Sequence, residues 1–223
     1  MNQSTSQVYD NSTVVSRRGA IFSSVRADDE PDEKETEAAA QAFDPLSGKI
    51  LKTRSILLSG EVNKQLAERV VRSLLVLEAE SDEPIKVFID SPGGDVDAGY
   101  AIFDMIRFVN APVYTIGMGL VASAGALILL AAPKDRRLGL PNSHYLIHQP
   151  LSGMRGVATD IEIHAKEIDK TRERINVLIA QETGKPLDQV AKDTDRDYWL
   201  GADEARDYGL IKRIVATRKE LGI

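Results

Sequence analysis

Short apolar runs alternate with amphipathic segments along most of the chain, and this alternation constrains the fold more than any other feature. Residues 55–58 and 85–90 have the length and composition of strands. Between them, apolar side chains recur at helical spacing, at Leu66, Val70, Leu74 and Leu77. Strands that alternate with helices predict an α/β domain.

The same pattern continues toward the C-terminus. It predicts helices around residues 98–106, 123–132, 158–183 and 202–208. It predicts strands at residues 112–117, 137–140, 144–148 and 210–215. The long helix stops at Gly184, two residues before a proline, as helices commonly do.

The first 42 residues differ in composition from the rest. Residues 28–37 hold seven acidic side chains and one lysine, which accounts for the whole net charge of -6. A polar, acidic stretch offers little apolar surface to offset the entropy of ordering. We therefore predict a mobile acidic leader or pro-segment at residues 1–42 and a folded domain at residues 43–223.

Composition also excludes several classes of protein. The chain has no cysteine, which rules out disulfides, thiolate metal sites and cysteine nucleophiles. It has three histidines and no HExxH motif, so no metal site is predicted. The apolar run at residues 126–132 is far shorter than the ~20 residues of a membrane span. Because there is also no basic patch, we expect a cytoplasmic protein that contacts neither membrane nor nucleic acid.

A turn of small residues after the predicted strand at 112–117 contains Ser123. A hydroxyl at the N-terminus of a helix lies near free N–H groups, which stabilise negative charge such as an oxyanion. Alternatively, Ser123 is only the N-cap of that helix. The turn is not a G-x-S-x-G nucleophile elbow, because Val121 occupies one of the glycine positions.

A serine nucleophile requires a base, and the sequence offers three histidines. His144 and His148 are four residues apart on one strand, so they share a face and alternation cannot choose between them. His148 lies at the exit of that strand. His164 lies within the long helix, in line with Ile161 and Ile168, which indicates a packed or interface residue.

The third member of a catalytic triad and an oxyanion hole are also open choices. Asp193, Asp195 and Asp197 lie in one charged loop, and spacing does not select among them. Gly93 and Gly94 follow a predicted strand, where they could turn a pair of N–H groups toward one point. An ordinary Pro-Gly turn explains the same residues.

Together these segments resemble the Clp protease proteolytic subunit, from about Phe43 to the C-terminus. The motifs that carry the resemblance follow in family order: Ser91-Pro92-Gly93-Gly94, Gly119-Leu120-Val121-Ala122-Ser123, Leu140-Pro141-Asn142-Ser143, Ile147-His148-Gln149-Pro150, Ala158-Thr159-Asp160-Ile161 and Asp195-Arg196-Asp197.

The resemblance implies a serine endopeptidase that needs no cofactor. It marks Ser123 as nucleophile, His148 as base and Asp197 as the residue that orients the histidine. It assigns the oxyanion hole to the N–H groups of Gly94 and Ala124. It implies a ClpP/crotonase-like spiral of β-β-α units, with a long protruding handle helix at residues 158–183.

The resemblance also implies partners. Family members form two stacked heptameric rings, and an AAA+ Clp ATPase unfoldase feeds unfolded proteins into the chamber. Asp195 and Arg196 resemble residues that pair across the rings. Two features depart from the family: Ala124 stands where methionine is usual, and the leader is acidic where an apolar axial loop is usual.

Two other functions fit part of the pattern. A crotonase-like acyl-CoA enzyme would share the fold and the oxyanion turn, but the chain lacks an evident basic cluster for phosphate. An inactive ring subunit would share the assembly, but it would be expected to have lost a triad residue.

Overall fold

A computed structural model describes residues 46–222. The leader predicted at residues 1–42 lies outside these described residues. Seven strands form one sheet within them: β1 (Ser55–Ser59), β2 (Ile85–Ser91), β3 (Val113–Ala122), β4 (Arg137–Gly139), β5 (His144–Ile147), β6 (Tyr198–Gly201) and β7 (Arg213–Ile214).

The helices of the described residues connect these strands and cover the sheet. They are α1 (Ser47–Leu51), α2 (Lys64–Glu80), α3 (Val96–Phe108), α4 (Ala124–Leu129), α5 (Ala158–Thr183), α6 (Leu187–Asp193) and α7 (Ala202–Tyr208). Short 3₁₀ turns occur at Lys134–Arg136 and Arg218–Leu221. The α/β class predicted from the sequence is confirmed.

The sheet branches at β3. Strands β1, β2, β3, β4 and β7 follow one another in parallel. The first half of β3 pairs with β4, whereas its second half pairs with β5. Strand β6 then adds to β5 in antiparallel orientation. One long strand therefore supports both the main sheet and the branch that leads to the candidate site.

An irregularity in the β2–β3 pairing marks the branch point. Ile89 pairs with Gly117, but Ser91 pairs with Val121, so β3 carries extra residues opposite Asp90. Gly119 adopts φ +55°, and a side chain there would collide with the Asp90 carboxylate. That carboxylate accepts a hydrogen bond from the Leu120 N–H at 3.0 Å. Asp90 thus stabilises the bulge that turns the end of β3 toward β5.

The core lies between the sheet and helices α2 to α4. The predicted apolar stripe of α2 is buried at each of its positions, Leu66, Val70, Leu74 and Leu77. Helices α2 and α3 each begin with a side-chain cap. The Asn63 side chain accepts a hydrogen bond from the Leu66 N–H at the start of α2, and the Asp95 side chain accepts one from the Ala98 N–H at the start of α3. The local sequence therefore fixes where these helices begin and which face they bury.

Helix α5 has the bounds predicted from the sequence, and its two halves lie in different environments. Toward its C-terminus, Ile175, Asn176, Ile179 and Thr183 are buried. Toward its N-terminus the side chains are exposed or only partly buried, and Ile163 is 57% exposed. This half extends beyond the core, as expected for the predicted handle.

Several other expectations were wrong in detail. Strand β3 runs to Ala122, five residues beyond its predicted end, and α4 is shorter than the helix predicted at 123–132. The last strand covers only Arg213–Ile214. Helix α6 and strand β6 were not predicted, since both are short and adjoin the charged run Asp193–Asp197, which resembles a solvated loop. Within residues 46–222, no helix is both long enough and apolar enough to cross a membrane.

The C-terminal end of α5 is held to the sheet by a buried ion pair. The Arg137 side chain is 1% exposed, and its guanidinium contacts the Glu182 carboxylate. It also donates hydrogen bonds to the Ala132 carbonyl at 2.6 Å and the Glu182 carbonyl at 2.9 Å. Burial lowers the pKa of the Arg137 guanidinium, and the Glu182 carboxylate opposes that shift.

Removing the carboxylate should therefore be costly. We expect Glu182→Ala to lower the free energy of unfolding by about 3 kcal/mol, because it leaves the Arg137 charge buried without its partner. The exposed pair of Glu162 and Lys166 provides the control. Glu162→Ala should cost less than about 0.5 kcal/mol. Denaturant unfolding that gives equal losses for both variants would contradict this role for Glu182.

Candidate active site

Ser123 lies at the junction of β3 and α4 in a strained conformation. Its φ is +56° and its ψ is -121°, a combination that residues other than glycine rarely adopt. Such strain costs about 1–3 kcal/mol and persists only where neighbours enforce it. The Ser123 N–H donates to the Leu146 carbonyl at 2.9 Å, and its carbonyl accepts from the Ala126 N–H at 2.9 Å. Both sides of the residue are therefore fixed.

The capping interpretation of Ser123 is wrong. Ser123 occupies the N-cap position of α4, but its side chain makes no capping hydrogen bond. A serine at a helix N-terminus ordinarily caps with its hydroxyl. Here the hydroxyl is left for a partner outside the helix.

The glycine turn after β2 packs directly against Ser123. Ser91 Oγ accepts a hydrogen bond from the Gly93 N–H at 3.1 Å and shapes the turn. Gly93 adopts φ +94°, and a Cβ atom placed there would lie 2.5 Å from the Ser123 Cβ. The same atom would lie 3.1 Å from the Ala124 nitrogen. Only glycine permits this approach of the two turns.

The N–H groups of Gly94 and Ala124 belong to the two turns that pack against each other at Ser123. Val62 bridges the turn on either side of Gly94: its N–H donates to the Gly93 carbonyl, and its carbonyl accepts from the Asp95 N–H. Ala124 is the first residue of α4. Within the described chain neither N–H donates to a protein acceptor.

His148 and Asp197 are neighbours across the β5–β6 ladder. The last registered pair of this ladder is Ile147 with Tyr198, so His148 and Asp197 come next on their respective strands. The His148 Nδ1 lies 3.3 Å from the Asp197 Oδ1. The His148 side chain is 13% exposed and the Asp197 side chain 64% exposed. Strand register therefore brings together two residues that are far apart in sequence.

Ser123 and His148 line the same small pocket. The rest of its wall is apolar and comes from α3, α4, β5, the segment after β5, and α5: Val96, Ala124, Leu127, Ile147, Pro150, Ile175 and Ile179. Among the described residues, no hydrogen bond joins the Ser123 and His148 side chains. Such catalytic hydrogen bonds are often long in the absence of substrate.

The candidate residues that spacing could not separate lie in different environments. His144 is exposed, whereas the His148 side chain is mostly buried beside Asp197. His164 Nε2 contacts Ser152 Oγ at 2.8 Å and lies on the exposed part of α5. Of the three loop carboxylates, only that of Asp197 contacts His148.

The other two carboxylates of the loop have different partners. Asp193 accepts a hydrogen bond from the Tyr208 hydroxyl at 3.0 Å. Asp195 pairs with Arg172 on α5 at 3.1 Å, and Arg196 is exposed. Within residues 46–222, His, Asp and Glu side chains form no cluster of three that could hold a metal ion.

Sequence reasoning missed the contribution of α5 to the pocket. Ile175 and Ile179 line it, and the polar side chain of Asn176 is buried beside them. The available signal was an asparagine between two apolar residues on the helix face, which alone does not indicate a site.

A strained serine beside a paired histidine and carboxylate, on an α/β fold, is the arrangement of a serine hydrolase. The sequence matches the Clp protease family over residues 37–218, beginning ahead of the predicted domain start at Phe43. It is 68% identical over 174 residues to the ATP-dependent Clp protease proteolytic subunit 2 of Treponema pallidum (strain Nichols), covering 78% of this chain and 87% of that protein.

Two further comparisons agree. The chain is 51% identical over 197 residues to the ATP-dependent Clp protease proteolytic subunit 3 of Rhizobium meliloti (strain 1021), covering 88% of this chain and 100% of that protein. A ClpP1 mutant from Listeria monocytogenes has a similar structure, with a TM-score of 0.74 and 50% identity. That match covers 79% of this chain and 99% of the other.

The chain belongs to the Clp protease family. It is a proteolytic subunit and a serine endopeptidase with the ClpP fold, as the sequence resemblance predicted. The alternative of a crotonase-like acyl-CoA enzyme is wrong, because the family model and the relatives named above cover most of the chain and are of the Clp protease family.

The close approach of Gly93 to Ser123 leads to a test. We expect Gly93→Ala to lower kcat/KM on a short fluorogenic peptide by at least about 100-fold, because the new methyl displaces Ser123 or the adjacent amide. Gly60 provides a matched control, since it has a similar φ of +89° but nothing within 4 Å of a Cβ atom.

Gly60→Ala should cost about 1 kcal/mol of stability through backbone strain and leave hydrolysis within about twofold of wild type. Equal activities of the two alanine variants would show that the contact between the turns is not needed for hydrolysis.

Proposed function

We propose that Ser123, His148 and Asp197 form the catalytic triad of this peptidase. Ser123 attacks the carbonyl of a peptide bond while His148 takes its proton. Asp197 holds the imidazole through Nδ1 and stabilises the imidazolium that forms. The imidazolium then gives its proton to the leaving amine as the C–N bond breaks, which leaves an acyl-enzyme. Water activated by His148 hydrolyses the acyl-enzyme and frees Ser123. The observation that carries this proposal is the His148–Asp197 contact at 3.3 Å beside the strained Ser123.

The oxyanion hole in this proposal consists of the N–H groups of Gly94 and Ala124. Neither donates to a protein acceptor within residues 46–222, and the packing of Gly93 on the Ser123 turn keeps their two segments close. A donor fixed in advance stabilises the charge of the tetrahedral intermediate without reorganisation. No cofactor enters this mechanism.

The apolar side chains around Ser123 are proposed to contact a substrate side chain. The cavity between them holds only about 10 Å³, so they must move apart to admit it. Ala124 packs close to Gly99, where an added Cβ would lie 3.3 Å from the Ala124 Cβ. A methionine at position 124 would have to extend past this contact. We therefore infer that Ala124 alters the shape of the pocket and the substrate preference, while its backbone N–H keeps its role.

We further propose that the chain works inside a double ring of two stacked heptamers, fed by an AAA+ Clp ATPase unfoldase. The relatives are named as ATP-dependent proteolytic subunits. In this proposal the unfoldase hydrolyses the ATP. Unfolded proteins are the proposed substrates. The cytoplasmic location predicted from the sequence is part of this proposal.

Exposed apolar side chains support assembly. Leu75, Val76 and Phe108 are exposed on α2 and α3. A second set lies on the handle and the segment before it: Leu151, Met154, Val157, Ile161 and Ile163. Groups of exposed apolar side chains such as these are typical of interaction sites.

Two further assignments are proposed, the first from the resemblance and the second from composition. Asp195 and Arg196 are proposed to pair across the rings, and the in-chain bond of Asp195 with Arg172 would place that contact at the base of the handle. Residues 1–42 are proposed to be a leader or pro-segment that is not needed for peptide hydrolysis, and residues 43–223 to be the peptidase domain.

The triad proposal predicts severe losses. The rate of peptide hydrolysis should fall by several orders of magnitude in each of Ser123→Ala, His148→Ala and Asp197→Ala. When the substitutions are combined, the losses should be far from additive. His144→Ala, on the same strand as His148, should leave the rate within about twofold. Fluorogenic peptides measure the rate of hydrolysis, and a serine-reactive phosphonate probe measures labelling of the nucleophile.

Retention of more than about a tenth of the wild-type rate in Ser123→Ala would exclude Ser123 as the nucleophile. A wild-type protein that neither reacts with the probe nor cleaves peptides would instead support the inactive ring subunit.

Ring stacking through the handle predicts a specific variant. Ile163→Arg should convert the 14-subunit assembly into single heptamers at micromolar concentration, because it buries a charge in an apolar contact. Glu162→Arg, at the neighbouring exposed position, is the control and should keep the double ring. Native mass spectrometry that finds only monomers in the wild-type protein would contradict the assembly.

A further inference from the structure

A buried hydrogen bond connects α5 to the loop that carries Asp197. Asn176 is 5% exposed, and its Oδ1 accepts a hydrogen bond from Thr194 Oγ1 at 2.7 Å. Thr194 is fully buried and caps the end of α6, where its hydroxyl also lies 2.9 Å from the Val190 carbonyl. The single proton of the Thr194 hydroxyl is therefore shared between two acceptors, the Asn176 Oδ1 and the Val190 carbonyl.

The same threonine also holds the segment that follows His148. The Gln149 N–H donates to the Thr194 carbonyl at 2.6 Å. The Gln149 side chain donates to the Asp195 carbonyl at 2.5 Å. The backbone on the far side of His148 is thus tied to the loop that leads to Asp197.

These bonds lie where the β5–β6 ladder needs support. The last registered pair is Ile147 with Tyr198, so His148 and Asp197 lie beyond the end of the ladder, where strands fray. Asp197 is 64% exposed, so side-chain packing does little to fix it. The ladder holds one side of the His148–Asp197 pair, and Thr194 holds the other.

Asn176 also connects this loop to the pocket that Ser123 lines. Its neighbours Ile175 and Ile179 form part of the pocket wall. Helix α5 therefore makes two kinds of contact here. Its apolar side chains line the pocket beside Ser123, and the polar side chain of Asn176 binds the loop that leads to Asp197.

We propose that Asn176 and Thr194 are positioning residues that hold Asp197 against His148. This inference rests on the proposed triad. Neither residue touches the substrate or the reacting atoms. Their hydrogen bond fixes the loop so that the carboxylate meets Nδ1 when the imidazolium forms.

The test compares two substitutions of Thr194 that differ in whether the hydroxyl is kept. Thr194→Val keeps the shape of the side chain and removes the hydroxyl, and Thr194→Ser keeps the hydroxyl. The control is Thr115→Val, because Thr115 is also fully buried and its hydroxyl donates to the Leu129 carbonyl at 2.9 Å. All variants are made in the full chain, and native mass spectrometry verifies their assembly.

Thr194→Val should lower kcat by at least about tenfold with KM within about twofold, because the orientation of the imidazolium matters only in the transition state. The rate of labelling by a serine-reactive phosphonate should fall in parallel. Thr194→Ser should restore both rates. Thr115→Val should lower thermal stability without changing kcat.

A double-mutant cycle separates positioning from general loss of structure. If Thr194 acts through Asp197, then adding Thr194→Val to Asp197→Ala should cause no further loss of phosphonate labelling. Full additivity of the two losses would overturn the inference, as would a Thr194→Val loss traced to altered assembly. Asn176→Ala, which leaves the Thr194 bond to Val190 intact, provides a milder second variant, and an unchanged kcat there would also count against it.

The cycle also separates this inference from the proposed triad. If Asp197→Ala alone retains wild-type rates, the triad itself is wrong. If Asp197→Ala is inactive while Thr194→Val and Asn176→Ala are fully active, only the positioning role is wrong.

Discussion

The hydrogen bond from the Leu120 N–H to the Asp90 carboxylate stabilises the feature on which the rest of the site depends. It holds the bulge in β3, and the bulge lets one strand serve two sets of partners. Before the bulge β3 pairs with β2 and β4. After it β3 pairs with β5 and keeps one pair with β2, Ser91 with Val121. Without this change of partner, β5 would not run alongside the end of β3. The Ser123 N–H could then not reach the Leu146 carbonyl, which helps to hold Ser123 in its strained conformation.

The remaining elements of the site follow from that branch. Strand β5 carries His148 at its end, and β6 pairs with β5 in a register that places Asp197 opposite. The glycine turn after β2 packs on the serine turn because β2 and β3 are adjacent. Three chain segments therefore converge at the ends of neighbouring strands, which is where functional groups of α/β proteins commonly lie.

Helix α5 combines two requirements within one element. Its C-terminal half is anchored by the buried Arg137–Glu182 pair and forms part of the pocket wall. Its N-terminal half extends outward with apolar side chains exposed. Asn176 lies in the buried half, and its hydrogen bond with Thr194 links α5 to the loop that leads to Asp197.

The sequence by itself determined those features that depend on nearby residues. Periodicity predicted the buried stripe of α2, the bounds of α5 and the α/β class, because side-chain spacing along a helix or strand is a local property. Motif order identified the family. Spacing could not choose between His144 and His148, nor among Asp193, Asp195 and Asp197, and it could not exclude a capping role for Ser123.

Only the tertiary structure shows which of these residues lie together, because that depends on strand register and on turns that pack against each other across long stretches of sequence. The β5–β6 register brought His148 and Asp197 together. The contact with the Gly93 turn and the bond to Leu146 fixed the backbone of Ser123.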